Sequence, residues 1–117
     1  MATSPEIRTA IRLLEVFREV DPEITLPSML AFLYSVEEDN RPGNQMAVSE
    51  RLGMAGSTGS RAVSYWHDYK KPRVPGMDYI ERVINPDDRR YKTIVLNQRG
   101  MKFAEKIEEA ISGSPKR

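Results

Sequence analysis

The chain has 117 residues, 39% of them apolar and 30% charged, with no cysteine and a net charge of +1. This composition suits one soluble globular domain with a single modest core, too short for a comfortable two-domain enzyme. Without thiols, disulfides, thiolate metal sites and a cysteine nucleophile are excluded, and no run approaches the roughly 20 apolar residues of a membrane-spanning helix.

Met1 to Glu6 is polar and lacks the basic-then-apolar order of a secretory signal. A cytoplasmic location with no membrane partner is therefore expected. The small net charge hides an asymmetry. Residues 1–52 hold five Lys/Arg against nine Asp/Glu, residues 53–99 hold nine against five, and the remainder contributes +1. Positive charge gathered in one segment suits a polyanionic partner; chance clustering of surface cations is the plainer alternative, and charge alone does not choose.

In chain order, Ser4-Pro5-Glu6 carries helix-start chemistry: a hydroxyl cap, a proline and then an acid in the first turn. The first helix is expected over 5–20, stopped by Asp21-Pro22. Its apolar residues Ile7, Ala10, Ile11, Leu13, Leu14, Val16, Phe17 and Val20 cover more than one amphipathic stripe of about 100°. Either a second subunit covers the excess or one monomer buries it. Ile24-Thr25-Leu26 reads as a short strand. A second helix starts at Pro27, buries Met29, Leu30, Phe32, Leu33 and Val36, and ends in the polar breakers from Glu37 to Gly43.

A short third helix is expected from Asn44 to Leu52, with Met46, Val48 and Leu52 inward and Gly53 as a left-handed stop. The fourth reads from Gly56 to Asp68. Gly59, Ala62, Val63 and Trp66 share its inner side, while Ser57, Ser60, Arg61, Ser64, Tyr65 and Asp68 recur at three- and four-residue spacing outside. Two prolines make Tyr69 to Gly76 an irregular loop. Strand-like runs, Met77–Ile84 and Lys92–Leu96, flank Asn85-Pro86-Asp87-Asp88-Arg89-Arg90, which has the composition of a hairpin tip. Asn97 can cap a last helix, 98–111, with Phe103, Ala104, Ile107 and Ile111 apolar, and Ser112 to Arg117 is expected to fray.

Little in this order builds an enzyme, and none is expected. His67 is the only histidine and has no second histidine or cysteine to join it in a metal site or nucleophile pair. It reads as a surface residue or a phosphate-backbone contact. Glu37, Glu38 and Asp39 form a solvated helix end, and there is no glycine-rich phosphate loop. No cofactor and no metal are expected. Trp66 and Tyr65 could line a small-molecule effector pocket, but core packing explains them more simply.

The expected fold is mainly α with a small β-hairpin wing (α+β), a winged helix-turn-helix in a single domain over 1–117. Helices three and four, within 44–68, are separated only by Gly53-Met54-Ala55, the tight link of a helix-turn-helix. In such pairs the second helix enters the major groove. Short hydroxyls at Ser57, Ser60 and Ser64 can approach phosphates and base edges closely, with Tyr65 beside them. Arg61 can fork two donors onto guanine, worth about 1–3 kcal/mol of discrimination. The wing, 77–96, carries Arg89, Arg90 and Lys92, suited to the narrow electronegative minor groove. Asp87 and Asp88 would repel DNA unless one of them orients an arginine through a bidentate pair, and the loop adds Lys70, Lys71 and Arg73. An ordinary solvent face and a decorated turn are the bland alternatives. The expected function is sequence-specific binding of double-stranded DNA; the alternative is a winged-helix module that binds protein in the transcription machinery.

From Ile24 to Gly100 the chain resembles the MarR (multiple antibiotic resistance regulator) winged-helix transcription factors. The residues that carry the resemblance are Ser57-Thr58-Gly59-Ser60-Arg61, Asp88-Arg89-Arg90-Tyr91-Lys92 and Leu96-Asn97-Gln98-Arg99-Gly100. The resemblance implies a homodimer held by the first and last helices, 5–20 and 98–111, reading a pseudo-palindrome. It also implies Arg90 in the minor groove with Asp88 as its orienting partner, and recognition-helix contacts at Ser57, Thr58, Ser60, Arg61 and Ser64. Departures from the family pattern are Ala55 in place of a capping Ser or Thr, and Gly56 and Gly59, each expected to weaken its helix by up to about 1 kcal/mol relative to alanine.

Overall fold

Ser4 Oγ accepts the Ile7 amide at 3.2 Å and Pro5 fills the first turn, so helix α1 (Pro5–Val20) starts where its cap chemistry dictates. The computed structural model describes residues 4–53, 56–71 and 74–113, and of these 56–58, 69–71, 74 and 89–91 by backbone alone. After α1 come α2 (Leu26–Glu37), α3 (Asn44–Leu52), α4 (Gly56–Ser64), β1 (Tyr69–Lys71), β2 (Val74–Pro75), β3 (Ile80–Asn85), β4 (Asp88–Leu96) and α5 (Gln98–Ser112). The chain is mainly helical with small antiparallel two-stranded sheets, an α+β arrangement. It divides into two units, one joining the segment through Ile24 to that from Lys102, the other Thr25–Met101.

In the first unit the Phe17 and Phe103 rings meet edge to face with centroids 5.6 Å apart. Arg12 Nε donates to the Ala110 carbonyl at 2.7 Å, and Lys106 Nζ lies 2.8 Å from Glu19. The wide apolar coverage of α1 splits. Val16 and Phe17 are buried, while Ile7, Ile11 and Leu14 remain 56%, 50% and 53% exposed at helical spacing.

The second unit packs around Trp66. Its indole Nε1 donates to the Ser28 carbonyl at 2.6 Å, and its ring lies 4.8 Å from Phe32 and stacks on Tyr79 at 5.7 Å. Ala31, Phe32, Val48, Ala62, Val63, Ile80, Ile94 and Leu96 complete this core. Trp66 and its neighbours therefore pack as core.

Four expectations need correction. Ile24-Thr25-Leu26 is not a strand: Thr25 caps α2 and Leu26 is already its first residue, because the hydroxyl and Pro27 favour a helix start over an edge. Met46 does not face inward; it is 63% exposed, and Val48 and Asn44 are the buried residues of α3. The loop 69–76 is not wholly irregular, since Tyr69 pairs with Pro75 and Lys71 with Val74. A proline tolerates such a short edge ladder because only its missing N–H is lost. Finally, α4 ends at Ser64 and not at Asp68. The carbonyls of Tyr65, Trp66 and Asp68 are taken by the amides of Met77, of Tyr79 and Ile80, and of Gly76. The Trp66 and His67 amides reach the Val63 and Ser64 carbonyls, three residues back and not four, so a tighter turn replaces the last helical turn.

Candidate nucleic-acid interface

The polar side of α4 is built on a close helix crossing. A Cβ on Gly59 would stand 3.2 Å from Ser49 Cβ, so the glycine that weakens α4 also lets it approach α3. Gly53 adopts φ +65 as the expected left-handed stop of α3. Outward from this crossing, Arg61 is exposed and Ser60 and Ser64 are half-buried. Ser57 and Thr58 lie in the first turn of α4 by backbone, and the cap position Ala55 lies outside the described residues. Tyr65 corrects the expectation of an outward contact. It is 7% exposed, with its ring edge-on to Trp66 at 4.9 Å, because the helix stops one residue earlier and the turn swings it into the core.

Beside α4 stands the β3–β4 hairpin, paired Ile80 with Leu96, Arg82 with Ile94 and Ile84 with Lys92. Directly opposed side chains share a face, so one face runs from buried Ile80, Leu96 and Ile94 through Arg82 to Ile84 and Lys92. The turn itself is shorter than expected. Only Pro86 and Asp87 separate the strands, with the Asp87 amide donating to Asn85 Oδ1 at 2.8 Å. Asp88 is the exposed first residue of β4, and Arg89 and Arg90 follow within the strand and not at its tip. Lys92 is half-buried. Lys70 and Lys71 belong to β1, and Arg73 lies outside the described residues.

The root of the hairpin is clamped on both edges. On the β4 side, Asn44 Oδ1 accepts the Ile94 amide while its Nδ2 donates to the Ile94 carbonyl at 2.8 Å and the Glu38 carbonyl at 2.7 Å. The Leu96 amide donates to Asp39 Oδ1 at 2.9 Å. On the β3 side, the Ile80 amide donates to the Trp66 carbonyl, and His67 Nδ1 lies 2.9 Å from the Ile80 carbonyl, which it reaches as a donor. His67 is thus a half-buried clamp of the strand edge and not a plain surface residue.

Arg82 was not among the residues expected at the site. Its Nη2 donates to Ser64 Oγ at 3.3 Å, which joins the hairpin to the polar side of α4, while its Nε is buried without a hydrogen-bond partner. The signal was available: alternation places residue 82 on the same side as Ile80, and a charge at an inward strand position is unusual. Among the described residues no group of three or more His, Asp or Glu side chains could hold a metal ion, and no helix is long and apolar enough to cross a membrane.

Among known proteins, no family model matches the chain, and no curated protein matches it. It is similar in structure to RV1404 from Mycobacterium tuberculosis, with a TM-score of 0.66 and 21% identity. The likeness covers 90% of this chain and 65% of that one, so the chain spans less than two thirds of the length of the structure it matches. At that identity the likeness concerns the fold.

Proposed function

We propose that this chain is a MarR-like winged helix-turn-helix regulator of transcription that binds double-stranded DNA in the cytoplasm. Helices α3 and α4 act as the helix-turn-helix, α4 enters the major groove, and the β3–β4 hairpin is the wing at the minor groove. The observation that carries this reading is the Arg82–Ser64 hydrogen bond. It lays the hairpin beside the serine and arginine side of α4, as one DNA-facing surface requires. Arg61 then reads base edges, Ser57, Thr58, Ser60 and Ser64 approach the backbone, and Lys70, Lys71, Arg73, Arg89, Arg90 and Lys92 meet phosphates or the minor groove.

The same proposal makes the protein a homodimer. The exposed stripe of Ile7, Ile11 and Leu14 on α1 is the kind of surface a second copy covers. Sedimentation at micromolar concentration checks this, and a species of 13.4 kDa alone would contradict it.

Selection of bound sequences from a random duplex pool tests the function. Enrichment of a two-fold-related motif is expected, and recovery of no motif from a binding-competent sample would contradict sequence-specific recognition. Arg61→Ala should relax the selected motif as well as weaken binding. A uniform loss across sequences would make Arg61 a phosphate contact. A second reading, a module that binds protein, is favoured by Val83 and Ile84, which are 56% and 48% exposed on the hairpin. Salt separates the two readings, because binding through phosphates weakens steeply as salt rises and an apolar contact does not.

A further inference from the structure

We propose that Arg82, in the crook between the end of α4 and strand β3, takes a backbone phosphate of duplex DNA. The inference rests on the DNA reading above and deepens it by adding a cation that lies outside the tip of the hairpin. A guanidinium offers five N–H donors in a fixed fork. In the free protein Arg82 uses this fork poorly: Nη2 makes one 3.3 Å bond to a hydroxyl, and Nε is buried with no acceptor. Among the described residues no carboxylate pairs with it, and Ser64 is its one hydrogen-bond partner. A buried N–H without an acceptor is a standing penalty in the free state. An anion that draws the fork outward removes that penalty and exchanges a single neutral contact for charge-assisted ones.

The surroundings fit an anion on the backbone track and not a base edge. The stem of Arg82 is set opposite buried Ile94 and next to buried Ile80 on the same face, so few rotamers remain to be lost on binding. One rung further out on that face, Lys92 pairs with Ile84 and supplies a second positive charge. Arg61 lies one turn before Ser64 on α4 and is exposed. Three cations thus line a path from the helix along the hairpin, with Arg82 at the corner. A strut that merely fixed the hairpin against α4 would need no charge and would leave no orphaned donor.

The test is duplex binding across a salt series for the unaltered chain, Arg82→Gln and Arg82→Lys, each with a thermal melt. The log–log salt slope of R82Q should become shallower by about 0.9, the loss of one neutralised phosphate, with the base preference unchanged. R82K keeps the charge and should keep the slope. A slope in R82Q equal to that of the unaltered chain would overturn the proposal and leave Arg82 a structural strut, as would R82K losing the slope along with R82Q. If R82Q does not fold, the Arg82 Nε–H resonance of the unaltered chain decides: displacement on adding duplex supports the contact, and an unmoved signal overturns it. Failure of the unaltered chain to bind duplex at all would instead overturn the DNA reading, and this inference with it.

Discussion

The two ends of one hairpin obey different rules. At its root, Ile80, Ile94 and Leu96 are buried, and the backbone groups of the outer edges are taken by Asn44, Asp39, Trp66 and His67. In its distal half, Val83 and Ile84 stand in solvent, and Arg82 at the boundary holds a donor with no acceptor. A two-stranded ribbon is marginal by itself in water, so the clamps at the root are what hold it as an arm. The distal half contributes little to stability and is free to serve a partner.

Substitutions at the root should test that division most severely. Asn44→Ala strands the buried Ile94 amide, at about 1–3 kcal/mol for an unpaired polar group, and leaves the Ile94 and Glu38 carbonyls with only the Asn40 and Arg41 amides as donors. A loss of about 2–3 kcal/mol is expected from the urea midpoint; a change below about 1 kcal/mol would show that the amide is not the clamp. Gly100→Ala should follow. Its Cβ would meet the Tyr79 carbonyl oxygen at 2.0 Å, so backbone must move, at about 1–3 kcal/mol by thermal melting. In the distal half, Arg90→Ala and Val83→Thr should alter stability by no more than about 0.5 kcal/mol, while Arg90→Ala lowers duplex affinity. Duplex affinity unchanged in that variant would remove the arm from the DNA-binding surface.

The smallest effect serves as a control in the other unit. Lys106 donates to Glu19 and holds its carboxyl below the usual value of 4.5, by hydrogen bond first and charge second. A lowered folded-state pKa stabilises above the unfolded value, and that contribution is lost as pH falls through the folded one. Melts of Glu19→Gln and the unaltered chain should therefore differ slightly near neutral pH and converge in acid. The pair is exposed and screened, so only the convergence is diagnostic.

Much of this fold was legible because helix ends are local chemistry. Ser4-Pro5 and Asn97 mark α1 and α5 correctly, with Asn97 Oδ1 accepting the Gly100 amide at 2.9 Å. The errors came where distant chain decides. Residues 65–68 carry helical spacing, yet the Trp66 and His67 amides bond three residues back, the returning chain takes the Tyr65, Trp66 and Asp68 carbonyls, and in that turn Tyr65 is core and not contact. Asn44 reads as a helix start; its role depends on Ile94, fifty residues later, which no local pattern encodes. Of the candidate site, the serine and arginine spacing on α4 is readable from periodicity, whereas Arg82 shows only as a charge at an inward position of a run that otherwise reads as plain strand.

Titrating duplex DNA into isotope-labelled protein while following its backbone amides tests the central claim most directly. Perturbation should concentrate on α4 and on β3–β4 from Arg82 outward, and should spare the exposed stripe of α1. Changes confined to α1 and α5, with α4 and the hairpin silent, would contradict it.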